Sequence, residues 1–134
     1  GPRRRSLERL GSRLPVAPSF EFHDTAGLVA LEQASPLYVH ASVADIEAIS
    51  VLEALACGCV PIIGQAPQSA PAAFALGPES LFPARDAQAL ADRLDWWVEH
   101  PDERAAMSAR YVAEGESMRV SRCCERFAAF AEAP

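Results

Sequence analysis

Three carboxylates, Asp45, Glu47 and Glu53, stand close together near the middle of the 134-residue chain. Ionised carboxylates accept hydrogen bonds and therefore suit the hydroxyl groups of a sugar. The acids lie beside the start of a predicted helix, where the first backbone amides have no intrahelical partner and can bind phosphate. This combination indicates a site for a ligand that carries both hydroxyl and phosphate groups.

The residues around these acids predict one βαβ unit. Residues 37–40 and 60–63 are short apolar strands, residues 46–57 have helical periodicity, and Gly58 ends the helix. Two short apolar strands joined by one helix suit a parallel sheet that is buried on both faces. The intervening loop, residues 41–45, then lies at the carboxyl edge of the sheet, where open α/β sheets bind their ligands.

The same stretch resembles the E-x7-E region of retaining GT-B glycosyltransferases of group 1, which build bacterial capsule, lipopolysaccharide and glycolipid sugars from nucleotide-sugar donors. Asp45 and Glu53 have the spacing of the two acids, and residues 53–58 supply the E-A-x-A-x-G that follows. The similarity runs from about Ser6 to Phe130. It covers only the C-terminal, donor-binding half of such an enzyme, so the N-terminal acceptor domain is expected to be absent from these residues.

The resemblance implies roles for individual residues. The second acid of the family binds the ribose hydroxyls, the first acid contacts the donor sugar, and loop amides meet the diphosphate. The donor-binding residues implied here are Asp45, Glu47, Ala48, Ile49, Ser50 and Glu53. The catalytic residues stay unknown, because the loop that usually supplies an arginine and a lysine lies outside this chain, and no metal is expected because no Asp-x-Asp motif occurs.

Two departures from the family pattern affect this assignment. Asp45 stands where glutamate is usual, so its shorter side chain contacts the sugar less closely and Glu47 is the acid that can compensate. Residues 48–50 replace a run that usually contains glycine. Alternatives also stay open: Glu47 suits a helix start stabilised by the macrodipole, and Glu53 suits an exposed surface. We further expect the side chain of Ile49 to be in the core.

Other polar residues near the predicted loop suit either a structural role or contact with a ligand. His40, at the end of a strand, is typical of a hydrogen-bonded structural histidine. The loop after the second strand carries Gln65, Gln68 and Ser69, which are within reach of a base or a sugar. The Trp96-Trp97 pair favours packing over a stacking platform, because adjacent residues of a helix point in different directions.

Composition limits the classes of protein to consider. Half of the residues are hydrophobic, which suits one domain over residues 1–134. The net charge is -6 and all twelve basic residues are arginine, which argues against nonspecific nucleic-acid binding. No apolar run approaches the roughly 20 residues of a membrane span. We expect a cytoplasmic protein, with peripheral association at the inner face of the plasma membrane as a feature of the full enzyme.

The remaining periodicity completes a Rossmann-like α/β domain, a three-layer sandwich around a parallel sheet. Strands are predicted at 19–23, 37–40, 60–63 and 80–82, and helices at 3–14, from 25, 46–57, 87–99, 101–114 and 118–131. The resembled domain has two more strands before these, one of them central. We therefore expect the missing strands to come from the rest of a longer protein or from a second copy, by swapping or dimerisation.

Four cysteines, two of them adjacent, have no structural zinc spacing and are predicted to be buried apolar thiols.

Taken together, the sequence predicts the donor-binding half of a retaining glycosyltransferase that uses a UDP or GDP sugar and makes a bacterial surface polysaccharide or glycolipid. The alternative is a non-catalytic Rossmann-like module for nucleotide sensing or protein interaction. Alone, residues 1–134 are expected to be inactive, because the acceptor side of the cleft is missing.

Overall fold

The structure is a computed structural model that describes residues 2–132. Its helices and strands follow the order α1 (Arg4–Gly11), α2 (Thr25–Ala34), β1 (Leu37–His40), β2 (Ala44–Asp45), α3 (Ile49–Ala56), β3 (Val60–Gln65), β4 (Gln68–Ser69), β5 (Leu81–Pro83), α4 (Ala87–Glu99), α5 (Pro101–Ser117) and α6 (Val120–Ala131). Two short 3-10 helices, Ala70–Phe74 and Pro78–Ser80, precede β5.

The main sheet has the strand order β1-β3-β5, and both pairings are parallel. Leu37 of β1 lies opposite Val60, and Leu81 of β5 lies opposite Ile63. A second, two-stranded pairing joins β2 to β4 and sets Asp45 beside Ser69. The carboxyl ends of the parallel strands therefore share one edge, and the β2–β4 pair lies in the loops that follow β1 and β3.

The central strand is covered on both sides. Five consecutive residues of β3, from Val60 to Gly64, are buried, although alternate side chains of a strand point to opposite faces. Leu55 of α3, Trp97 of α4 and Tyr111 of α5 belong to the same buried core. Trp97 is fully buried and donates from Nε1 to the carbonyl of Glu79 at 3.0 Å, as a packing residue should. The predicted Rossmann-like α/β class is confirmed.

The strand predicted at residues 19–23 is wrong. Residues 17–24 have no regular secondary structure, and Phe22 is 95% exposed. In residues 2–132 the main sheet has three strands instead of four, and β1 is its edge. An alternating sequence forms a strand only where a neighbour accepts its backbone hydrogen bonds, and no described strand lies beyond β1 to provide them.

The cysteines divide into two classes. Cys59 is buried and Cys57 is partly buried, but Cys123 and Cys124 are exposed on α6, contrary to the prediction. Every residue of α6 is exposed, so the described part of the chain does not cover its apolar side. None of the helices within residues 2–132 combines the length and the hydropathy of a membrane span.

Candidate functional site

Asp45 organises the loop that leads into α3. Its Oδ1 atom accepts hydrogen bonds from the backbone amides of Ala48, at 3.0 Å, and Glu47, at 3.2 Å. Its Oδ2 atom lies 3.2 Å from Nε2 of His40 at the end of β1. The two amides therefore hold Oδ1, Oδ2 faces the imidazole without a well-aligned hydrogen bond, and the side chain holds the loop in shape.

The loop before α3 ends in an unusual backbone conformation at Ala48. This residue has φ 47° and ψ 57°, in the left-handed region that favours glycine, and it is only 7% exposed. A left-handed residue cannot continue a right-handed helix, so α3 begins at Ile49 and not at residue 46 as predicted. The position that the resembled family fills with a glycine-containing run keeps a glycine-like conformation here.

The first amides of α3 are open. Within residues 2–132 no side chain caps this helix, whereas Asp24 and Asp86 cap α2 and α4. The first backbone bond of the helix runs from Val51 N to Ala48 O at 2.8 Å, so the amides of Ile49 and Ser50 precede it. Such amides, at the positive end of a helix dipole, suit an anionic oxygen.

The side chain of Ile49 also faces outward. It is 60% exposed, so the prediction that it belongs to the core is wrong. The core positions of this helix are instead Val51, Ala54 and Leu55, which become the inward face once the helix begins at residue 49. An exposed isoleucine at the loop leaves an apolar surface beside the open amides.

Glu53 lies on the outer face of α3, one turn beyond these amides. Leu55 is fully buried and Leu52 is partly buried, so the orientation of the helix leaves the carboxylate of Glu53 in solvent. Glu53 also lies near Cys57. Burial, a hydrogen bond to Glu32, and the charges of Glu32 and Glu53 together raise the pKa of the Cys57 thiol, which is therefore neutral at physiological pH.

A cavity of about 450 Å³ adjoins the loop at the carboxyl ends of β3 and β5. Its lining includes Gln65 and Gln68, as the sequence suggested, but Ser69 is buried and its hydroxyl has no hydrogen-bond partner in the described chain. Arg85, with φ 71°, also lines this cavity and was missed by the sequence reasoning. Its position directly after a strand was the available signal, because side chains at the carboxyl ends of parallel strands share one edge.

The described residues contain no group of three or more histidine, cysteine, aspartate or glutamate side chains arranged to hold a metal ion. The site consists instead of two exposed acids, Glu47 and Glu53, a half-buried brace around Asp45, and the open amides that start α3. Groups of this kind can accept hydrogen bonds from hydroxyls on one side and donate them to anionic oxygens on the other.

The sequence and the structure of this chain are both similar to those of known proteins. Residues 1–111 match the family model described as glycosyl transferases group 1. The structure is similar to the crystal structure of the catalytic domain of cholesterol-alpha-glucosyltransferase from Helicobacter pylori, with a TM-score of 0.83 and 36% sequence identity over 87% of this chain and 74% of that one. No match was found among curated proteins. The family match covers most of the chain, and the chain therefore belongs to the group 1 glycosyltransferases.

Proposed function

We propose that this chain is the nucleotide-sugar-binding half of a retaining glycosyltransferase. The carboxylate of Glu53 accepts hydrogen bonds from the two ribose hydroxyls. The amides of Ile49 and Ser50 bind the diphosphate, with Ala48 allowing its close approach. Glu47, beside the braced Asp45, is the acid available to the donor sugar. The acceptor and the other wall of the cleft belong to an N-terminal domain of the GT-B fold.

The observation that carries this proposal is the uncapped start of α3 with an exposed acid one turn later. A diphosphate supplies the missing acceptors for the helix amides, and a ribose diol supplies two donors for one carboxylate. The 3.6-residue turn places Glu53 one turn from Ile49, which suits a ligand whose phosphate and ribose are adjacent. A developing charge on the departing diphosphate is stabilised by the same amides.

For the acceptor, similarity to a lipid-glycosylating enzyme favours a glycolipid product over a polysaccharide. The similar Helicobacter pylori enzyme is named for an alpha-glucosyl transfer to cholesterol, a lipid. A bacterial membrane lipid is thus the acceptor class we propose, with UDP or GDP as the nucleotide of the donor. Peripheral contact with the inner face of the membrane follows from such an acceptor.

Calorimetric titration of the full-length protein with UDP, GDP and ADP tests the donor site. A charge-assisted hydrogen bond contributes roughly 1.5 to 3 kcal/mol, so Glu53→Gln should weaken the preferred nucleotide about tenfold or more. Glu99→Gln, at an exposed position on α4, is the matched control and should leave the affinity unchanged. Equal affinities of wild type and Glu53→Gln would instead favour a non-catalytic module.

A further inference from the structure

His40 is a histidine with an unusual environment at the edge of this site. It is the last residue of β1, its side chain is only 11% exposed, and its Nε2 atom is buried. The nearest acidic group is Oδ2 of Asp45, 3.2 Å away, yet the contact lacks the alignment of a good hydrogen bond. A buried ring nitrogen of this kind is normally kept only where it has a partner to hold.

The partner of His40 holds the rest of the loop. Oδ1 of Asp45 accepts from the amides of Glu47 and Ala48, while Oδ2 faces the imidazole. A carboxylate whose Oδ2 atom stays against the imidazole cannot rotate its Oδ1 atom away from the two amides. The contact with His40 therefore selects the orientation in which Asp45 serves the loop instead of turning toward solvent.

The loop in turn fixes the start of α3. Ala48 is held in a left-handed conformation that costs an L-residue about 1 kcal/mol or more, so something must maintain it. The hydrogen bond from its amide to Asp45 is the contact that does so. Displacement of this residue would turn the amides of Ile49 and Ser50 away from their present direction.

We propose that His40 is a positioning residue of the donor site. It touches Asp45 and not the ligand, and its effect passes through Asp45 to the amide of Ala48 and then to the first amides of α3. This inference rests on the proposed function, because it assigns His40 a consequence for donor binding. It also gives Asp45 a structural role, because Oδ1 of Asp45 shapes the loop, beside the sugar contact that the resemblance implies for this acid.

Two polar substitutions of similar size separate this role from general destabilisation. In His40→Gln the side-chain amide nitrogen reaches the place of Nε2, whereas in His40→Asn it reaches only the place of Nδ1. We expect His40→Gln to bind the preferred nucleotide within twofold of wild type and His40→Asn to bind it roughly three- to tenfold more weakly. In the complete enzyme the KM for the donor should rise by the same factor in His40→Asn, with kcat within twofold. His23→Gln, which changes a histidine outside the site, is the matched control.

Amide hydrogen exchange supplies a readout that needs no ligand. The Ala48 amide should exchange at least threefold faster in His40→Asn and in Asp45→Ala than in wild type, and at the wild-type rate in His40→Gln. The inference is overturned if His40→Asn binds as wild type does, or if His40→Gln is impaired as much as His40→Asn. If the wild-type protein binds no nucleotide, the proposed function is overturned. The effect of His40 on donor binding is then overturned too, whatever the exchange rates show.

Discussion

Gly115 of α5 lies directly against the backbone of Ala56 in α3. A Cβ atom on Gly115 would stand 3.2 Å from both the N and Cα atoms of Ala56, closer than such atoms normally approach. Seven residues earlier on α5, Ser108 donates from Oγ to the carbonyl of Gly58 at 2.6 Å. Helix α5 therefore sets the position of the helix that carries Glu53, from the end opposite the donor loop.

Gly115→Val should push these two helices apart. The added side chain meets backbone atoms, which cannot move aside as the end of a flexible side chain can, so we expect a loss of roughly 1 to 3 kcal/mol in the free energy of unfolding. Urea denaturation measures this loss. Ala113→Val, at an exposed position on the same helix, shows what a valine costs there without a close backbone neighbour. Because valine has a higher helix propensity than glycine, a Gly115→Val variant as stable as wild type would show that the close approach is unimportant.

The left-handed backbone at Ala48 predicts an order of stabilities. Ala48→Gly relieves backbone strain but loses a buried methyl group and loosens the unfolded chain, so its free energy of unfolding should stay within about 1 kcal/mol of wild type. Ala48→Val places a β-branched residue at positive φ and should cost about 2 kcal/mol or more.

Thermal or urea unfolding of the two Ala48 variants, followed by nucleotide titration, checks this order. Ala48→Val should also bind nucleotide more weakly, because its strain is relieved by moving the amides that start α3. A valine variant as stable as the glycine variant would mean that residue 48 does not need its left-handed conformation.

Local signals in the sequence were sufficient for much of the fold. A helix was predicted over residues 87–99, and the structure has this helix with those bounds, capped by a hydrogen bond from Ala89 N to Asp86 Oδ1. Strand β1 also has its predicted bounds, and Gly58 ends α3 with φ 90°. Capping, short apolar runs and glycine act over a few residues, so one sequence window contains their cause.

Features that depend on a distant partner could not be predicted in this way. Residues 19–23 alternate as a strand should, but no described neighbour pairs with them. The β2–β4 pair joins segments whose proximity only the fold creates. The sequence indicated Asp45, Glu47 and Glu53 as a group, but only the structure shows that Oδ1 of Asp45 binds the loop amides.

Tyr111 links three parts of the core through one hydroxyl group. It is fully buried, accepts from the amide of Leu76 at 2.9 Å and donates to Oγ of Ser80 at 2.8 Å. Tyr111→Phe leaves both partners unsatisfied, and Ser80 is itself fully buried, so we expect a loss of roughly 1 to 3 kcal/mol in the free energy of unfolding. Urea denaturation at pH 7 measures it.

Adding Ser80→Ala to Tyr111→Phe removes one of the two orphaned groups and should restore part of the lost stability. A double variant less stable than Tyr111→Phe alone by the full cost of Ser80→Ala would contradict coupling between the two hydroxyls.

Cys59 predicts a dependence of stability on alkaline pH. Its thiol is buried, and its single proton is shared between the carbonyls of Glu32, at 3.1 Å, and Ser35, at 3.2 Å. Burial and the negative charge of Glu32 raise the pKa of Cys59 from its ordinary value of 9.0 to about 11. The unfolded chain therefore releases this proton from about pH 9, while the folded chain holds it until about pH 11. Stability from this group is complete below pH 9 and is lost as the pH rises through 11.

Cys59→Ser keeps a donor for the two carbonyls but does not ionise in this range. Urea denaturation of both proteins from pH 8 to pH 11, under reducing conditions, should show a steeper fall in the free energy of unfolding for wild type, with a difference of about 1 to 2 kcal/mol at the upper end. Cys57 and Tyr111, whose pKa values burial also raises, are present in both proteins and cancel in the comparison. Parallel curves for the two proteins would mean that the Cys59 thiolate forms as readily in the folded chain as in the unfolded one.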